Sequence, residues 1–311
     1  MLLEDGSNRD AESFATYRSL RQRAGDAVRR GRWRDALPFV THAWEWALEN
    51  GPEALQDRAL CNLSIVKIHL GEDDGCVAQL GEVLLRTRDP ESRWLASYNI
   101  ARAHELDKRF DRGLFYGRIA RDQARAMDRE DLLAVSHNRL GNLYLGQSET
   151  GKATREYERS LELMKHDGGR GDGSLELGKI LDNLGYCRVL QGRLEDGFRL
   201  LVRSWRILRS GDTLQPLISL HLDLAYAYLE VERPRHADRH ARRALEYSRR
   251  LDEKPSVKNA LFLLGESATL RGDEVQARRS YGQLQSFYPD LPVITDLLLA
   301  VDTRSMINLR A

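Results

Sequence analysis

The chain contains no run of about eighteen uninterrupted apolar residues, so no segment is built to cross a bilayer as a helix. Its opening, MLLEDGSNRD, lacks the basic flank and apolar stretch of a secretion signal. Both absences predict a cytoplasmic protein. Cysteine is scarce: Cys61, Cys76 and Cys187 are odd in number and far apart, which excludes a disulfide framework and predicts a reducing compartment. Lysine is scarcer still for a charged chain, with seven among the 48 basic residues, a bias that points to a GC-rich bacterial genome. Neither sign of charge dominates. The formal net charge of +1 gives no global field toward nucleic acid or an anionic membrane. What is abundant is mixed charge, 31% of residues, which suits many exposed helix faces rather than a disordered tail.

One stretch suggests chemistry. Gly146, Gly151 and Lys152 in GQSETGKAT make most of a phosphate-binding loop. That loop needs a strand before it and a Ser or Thr after the Lys to hold magnesium. Here a helical pattern precedes it, and Ala153 stands in the Ser/Thr place.

Ala153 has another explanation. It is the second of two small residues twelve apart, Gly141 and Ala153, and the same spacing recurs along the chain. The other pairs are Ala24 and Ala36, Ser64 and Cys76, Ala101 and Gly113, Gly185 and Gly197, Ala225 and Ala237, and Gly265 and Ala277. In six of the seven an aliphatic residue precedes the first member (Leu63, Ile100, Leu140, Leu184, Leu224, Leu264). Two antiparallel helices approach closely only where the facing side chains are tiny. The first small residue therefore sits late in a helix A and the second early in a helix B. Gly31, Gly71, Gly192 and Gly272 fall in the turns between, where a left-handed backbone ends a helix. Pro52, Pro90, Pro216, Pro234 and Pro255 fall near helix starts, where a missing N–H costs nothing. Pro38 falls inside a predicted helix and predicts a bend there.

This pattern resembles the tetratricopeptide repeat family. The Leu-Gly or Leu-Ala step, Tyr144 and Tyr228 three residues on, the second small residue, Tyr157 and Tyr281 four after it, and the closing Pro289 carry the likeness over roughly residues 13 to 290. The steps of 40, 37, 40, 44, 40 and 40 residues exceed the family's usual period of about 34. Such longer repeats are similar to those of bacterial peptide-sensing regulators and adaptor proteins. The resemblance implies an all-α fold: a right-handed superhelical solenoid of seven antiparallel helical hairpins. Residues 1–12 are expected as a mobile tail, 13–290 as the repeats, and 291–311 as a capping helix. In that helix Ile294, Leu297, Leu298 and Val301 would cover the last repeat, or else serve a homodimer. The run HDGGRGDGS, 166–174, is expected as a flexible loop.

The A helices of such a solenoid line its inner groove. With the first small residue at position 8, positions 2, 5, 6, 9, 12 and 13 face or border that groove. Position 6 holds Asn62, Asn99, Arg139, Asn183 and Asp223; position 9 holds Arg102, Asn142, Tyr186 and Tyr226; position 5 adds Tyr98, Asn138 and Asp182; position 2 adds Arg58 and Lys179. Asn is a middling helix former, yet its amide both donates to and accepts from a peptide backbone. The resemblance implies that Asn62, Asn99, Asn142, Asn183, Arg102, Arg139 and Lys179 clamp a bound peptide's backbone or carboxylate, against the alternative that the amides bond neighbouring helices or water. Asn138, Tyr186 and Tyr226 complete the expected groove.

Nothing argues for catalysis, a metal or a cofactor. His236 and His240 are spaced i, i+4, but HADRH lacks the zincin Glu and a third ligand. Glu72, Asp73 and Asp74 sit at a predicted turn as helix caps. Two basic runs, 17–34 and 233–250, carry seven arginines each; the default is a solvated helix face, with nucleic-acid binding as the alternative. The expected function is a non-enzymatic scaffold or adaptor that captures a protein or peptide segment, with a peptide-responsive sensor of a separate effector as the second reading.

Overall fold

The computed structural model describes residues 5–72, 75–166, 172–211 and 213–301, and side chains from residue 14 onward except 73–74, 165–174 and 212. Among the described residues there are fifteen helices and no strand. Seven helix–turn–helix pairs follow one another: α1 (Asp5–Arg29) and α2 (Trp33–Asn50), α3 (Glu53–Leu70) and α4 (Cys76–Arg86), α5 (Pro90–Leu106) and α6 (Phe110–Ala126), α7 (Glu130–Gly146) and α8 (Thr150–His166), α9 (Asp172–Leu190) and α10 (Leu194–Leu208), α11 (Gln215–Glu230) and α12 (Pro234–Arg250), α13 (Lys254–Thr269) and α14 (Glu274–Gln285). A short α15 (Ile294–Ala300) ends the described chain.

The expected register is the observed one. Each small pair flanks one interhelix turn, and all fourteen members are buried. The closeness is measurable. A Cβ on Gly185 would lie 3.2 Å from the Gly197 carbonyl oxygen, and one on Gly197 would lie 3.0 Å from that of Gly185. A Cβ on Gly113 would lie 2.4 Å from a Leu143 methyl. At Gly185 and Gly197 a side chain would crowd the facing backbone, and at Gly113 it would push the Leu143 side chain aside. Gly31, Gly71, Gly192 and Gly272 all take positive φ in the turns. The prolines behave as expected at the starts of α3, α5, α11, α12 and α13, and α2 runs on through Pro38 as one helix.

The chain divides into two compact units, residues 1–143 and 144–311, with the division inside α7. In the first unit the apolar side chains gather in three clusters: around Tyr17, Ala43 and Ala47; around Val40, Leu63 and Val66; and around Leu80, Val83 and Ile100. In the second unit one cluster runs from Leu145 to Leu298 and includes the buried rings of Tyr157, Tyr186 and Tyr281.

Some boundaries differ from expectation. α1 begins at Asp5, so regular structure reaches into the stretch set apart as a tail. The C-terminal cap is narrower than the pattern predicts. Leu298 is buried and Ile294 packs on the core, but Leu297 and Val301 are exposed, at 53% and 43%. α15 ends at Ala300, and Val301 follows it in extended backbone, off the helical face that the i, i+3, i+4, i+7 pattern assumes. Asp73 and Asp74, the middle of the glycine-rich run 166–174, and residues 302–311 lie outside the described residues.

Candidate functional site

In the first unit the A helices α3, α5 and α7 bring together a polar and aromatic constellation. Along α5, Trp94, Tyr98, Arg102 and Glu105 recur at spacings of four, four and three, which places them on one face. Trp94 and Tyr98 stack with ring centres 5.0 Å apart. The Trp94 indole N–H donates to Ser136 Oγ on α7 at 3.0 Å, which fixes the ring's orientation. Arg139 of α7 lies over the Tyr98 ring, 4.8 Å from its centre, and donates to its hydroxyl at 2.9 Å.

Glu105 is the hub. It pairs with Arg139 and with Arg102, the latter at 2.8 Å, and accepts from Asn142 Nδ2 at 3.4 Å. Burial by itself would raise the Glu105 pKa, but the charges of Arg102 and Arg139 and their hydrogen bonds outweigh it and hold the carboxylate below its ordinary range. Burial works against the Arg139 charge too, and Tyr98 and Glu105 more than offset it. Two guanidiniums against one carboxylate leave an excess of one positive charge on a half-buried face.

His69 of α3 completes the arrangement. Its ring stacks on Trp33 at 3.7 Å, within 5° of parallel, and its Nε2 accepts from Arg102 Nε at 3.4 Å. Burial first, and then the charges of Arg102 and Arg139, push its pKa down to about 2. The imidazole is therefore neutral and serves as an acceptor that steers Arg102.

The predicted site residues fall into two groups. Arg102, Arg139 and Asn142 meet at Glu105, with Asn138 buried beside them in sequence on α7. Asn62 is half-buried on α3. Asn99 departs from the expectation: it is 3% exposed, and its amide donates to the Cys61 carbonyl at 2.9 Å, tying α5 to α3 rather than facing a ligand. In the second unit Lys179 is half-exposed and pairs with Glu176 at 2.7 Å. Asn183 is buried there, and Tyr186 and Tyr226 are core rings packed edge to face at 5.6 Å. Tyr186, wholly buried, is a correction: position 9 faces inward on α9 because a large ring finds more apolar area inside than at a polar surface.

Trp94, Glu105 and His69 join the site without having been singled out. Glu105 stands at position 12 of its repeat, which the register already assigns to the groove, and Trp94 stands four residues before Tyr98.

The other sequence candidates resolve simply. The Gly146–Lys152 stretch runs from the end of α7 through the turn, with Ser148 at φ 62, into the first turn of α8. Lys152 pairs with Glu149 at 3.0 Å and lies over the Tyr144 ring, so the lysine has intramolecular work. His240 hydrogen-bonds His221, Nδ1 to Nδ1 at 2.9 Å, and stacks on Tyr228. Among the described residues no three His, Cys, Asp or Glu side chains are grouped to hold a metal. No described helix is long and apolar enough to cross a membrane.

No protein-family model matches the chain, and no curated protein matches it in sequence. Solved structures do. A Rap protein in complex with competence and sporulation factor aligns over 95% of this chain and 79% of its own, at 12% identity and a TM-score of 0.65. Aspartyl phosphate phosphatase F from Bacillus subtilis aligns over 88% and 76%, at 12% identity and 0.55. A tetratricopeptide repeat protein from Parabacteroides merdae aligns over 94% and 100%, at 15% identity and 0.52. The fold is thus an all-α, tetratricopeptide-like helical repeat.

Proposed function

We propose that this chain is a binding protein that takes an extended peptide or protein segment along the α3, α5 and α7 face of its first unit, and so localises or regulates a partner. The observation that supports this most is the Glu105 hub. It holds two guanidiniums and an amide at a partly open surface beside a Trp–Tyr shelf. Ordered donors and flat rings suit a polypeptide: the donors meet backbone carbonyls or an acidic group, and the rings cover an apolar side chain. Preorganisation by Glu105, Tyr98 and His69 lowers the ordering cost on binding. The complex in which the Rap protein was solved, and the activity in the phosphatase's name, belong to those proteins; this chain's site is read as a binding one because its charged groups are spent on positioning each other.

Crosslinked capture from native lysate, followed by titration of the captured segment, tests the reading. Arg102→Ala should weaken binding about tenfold or more, the loss of a charge-assisted hydrogen bond. Glu105→Gln should weaken it too, by releasing both arginines. If both variants captured and bound the segment as the unaltered chain does, the face would be wrongly assigned. A sensor reading of the same site differs in one respect, a change of dimensions on binding, which scattering with and without the segment would detect.

A further inference from the structure

The two arginine runs, alike in sequence, have different fates. In the run 17–34, Arg18 lies over Phe14, Arg21 over Tyr17 and Arg23 over Phe39, at 5.2, 5.9 and 4.2 Å from the ring centres. Arg29 pairs with Asp26, and Arg32 with Asp35 at 3.5 Å. Only Arg30 and Arg34 stand apart. The run on α12 is left open. Ala237, Ala241, Ala244 and Ser248 are buried and define its inner side. Helical geometry puts Arg235, Arg239, Arg242, Arg243 and Arg250 on the opposite side with Arg249 on its flank, and all six are exposed. Arg242 pairs with Asp238 at 2.7 Å and Arg243 with Glu246 at 3.1 Å, while Arg249 meets only the uncharged Gln283 at 3.0 Å. Arg235, Arg239 and Arg250 have no hydrogen-bond or ion-pair partner among the described residues. Six arginines against one Asp and one Glu give α12 a charge of 6 − 2 = +4, in a chain whose total is +1.

The geometry points to the outer face of α12 as a docking stripe for the phosphate backbone of a nucleic-acid duplex, read without regard to sequence. The stripe is straight and rigid and runs about 22 Å from Arg235 to Arg250 at 1.5 Å per residue. A row of guanidiniums on one regular helix matches the line of phosphates along a duplex strand. The cation is guanidinium throughout, whose planar fork grips phosphate oxygens two at a time. The one Phe, Tyr or Trp ring beside the stripe among the described residues of its outer side, Tyr247, is half-buried and already lies under Arg243, so unpaired bases would find little to stack on. No apolar side chain lies on the stripe, so it has nothing to bury in a bilayer. The preceding B helix, α10, exposes Arg203 and Arg206, likewise without partners, which adds charge of the same sign to the unit.

Fluorescence anisotropy of the full chain with a labelled duplex of about 20 base pairs, at about 50 and about 200 mM salt, tests this. Binding is expected at the lower salt. Its logarithm should fall linearly with the logarithm of salt, by about 0.9 for each phosphate contacted. The triple variant Arg235→Gln, Arg239→Gln, Arg250→Gln should weaken binding at least about tenfold and flatten that slope by about two to three. The pair Arg30→Gln and Arg34→Gln on the first run should change it far less, with circular dichroism melts showing both variants folded. The stripe is not a duplex site if the unaltered chain fails to bind at low salt, if the triple variant binds equally, or if both variants lose equally. It is likewise not one if the triple variant loses affinity for phosphatidylserine vesicles or polyglutamate but keeps it for the duplex.

Discussion

At the residue scale, space decides what each glycine is for. A Cβ on Gly265 would lie 2.1 Å from Tyr281 Cε1. That ring cannot retreat freely, since it is wholly buried and its hydroxyl donates to Glu266 at 2.6 Å. Gly265→Ala should therefore destabilise by about 2–3 kcal/mol through overpacking. Gly151 is also helical, but a Cβ there meets nothing within 4 Å. Gly151→Ala should stabilise by about 0.5–1 kcal/mol, the ordinary gain in helix propensity. Urea unfolding of the two variants measures both; equal stabilities would mean that the small-residue register does not govern helix approach. Asn99 allows a sharper separation. Asn99→Ala leaves the buried Cys61 carbonyl without its donor and should cost about 1–3 kcal/mol. Binding at the Glu105 face should persist, because the amide points at α3. Loss of binding with unchanged stability would return Asn99 to the groove.

At the element scale, the turns carry strain where they lack glycine. Four turns use Gly at the left-handed position, whereas Lys108, Ser148 and Glu232 occupy the same place between α5 and α6, α7 and α8, and α11 and α12, with φ of 58, 62 and 52. A side chain in that conformation costs about 1–2 kcal/mol. Glu232→Gly should recover part of this and raise stability by about 1 kcal/mol, less the extra freedom glycine has in the unfolded chain. A thermal melt lower than that of the unaltered chain would show that Glu232 has a compensating role. Elements also differ in how far sequence alone describes them. The helix pairs were legible because tiny residues at a fixed spacing leave few other ways to pack. The cap was not, since four apolar side chains at helical spacing over eight residues look amphipathic whether or not a neighbouring surface exists to receive them.

At the scale of the whole molecule, the buried imidazoles set the response to acid. Burial first, then the charges of His240 and Arg243, push the His221 pKa down to about 3. Burial, Arg239 and His236 push that of His240 to about 4. Both start from 6.5, so between pH 6.5 and these values the unfolded chain holds protons that the folded chain refuses. Stability is full above about pH 6.5 and declines as pH falls toward 3, at no more than about 1.4 kcal/mol per pH unit for each imidazole. Trp205 is the sole tryptophan of residues 144–311 and reports on the unit that holds this pair. The urea midpoint seen through its fluorescence should fall with acid, and His221→Gln with His240→Gln should flatten the trend. An equally steep trend in the double variant would locate the acid sensitivity elsewhere.

Repetition in the sequence was enough to determine the helix pairs, their register, the turns that need glycine and the all-α class, because close packing of two rods demands small side chains at matched positions whatever surrounds them. Which polar residues stay available for a partner was a tertiary decision. Asn99, Asn142 and Asn183 read alike along the chain, yet one bonds a backbone carbonyl, one approaches a carboxylate hub and one is buried in the second unit. Glu105, Trp94 and His69 became one cluster only when α3, α5 and α7 came side by side. A side chain's role depends on the partner it meets across helices, and spacing within a single helix carries no record of that partner.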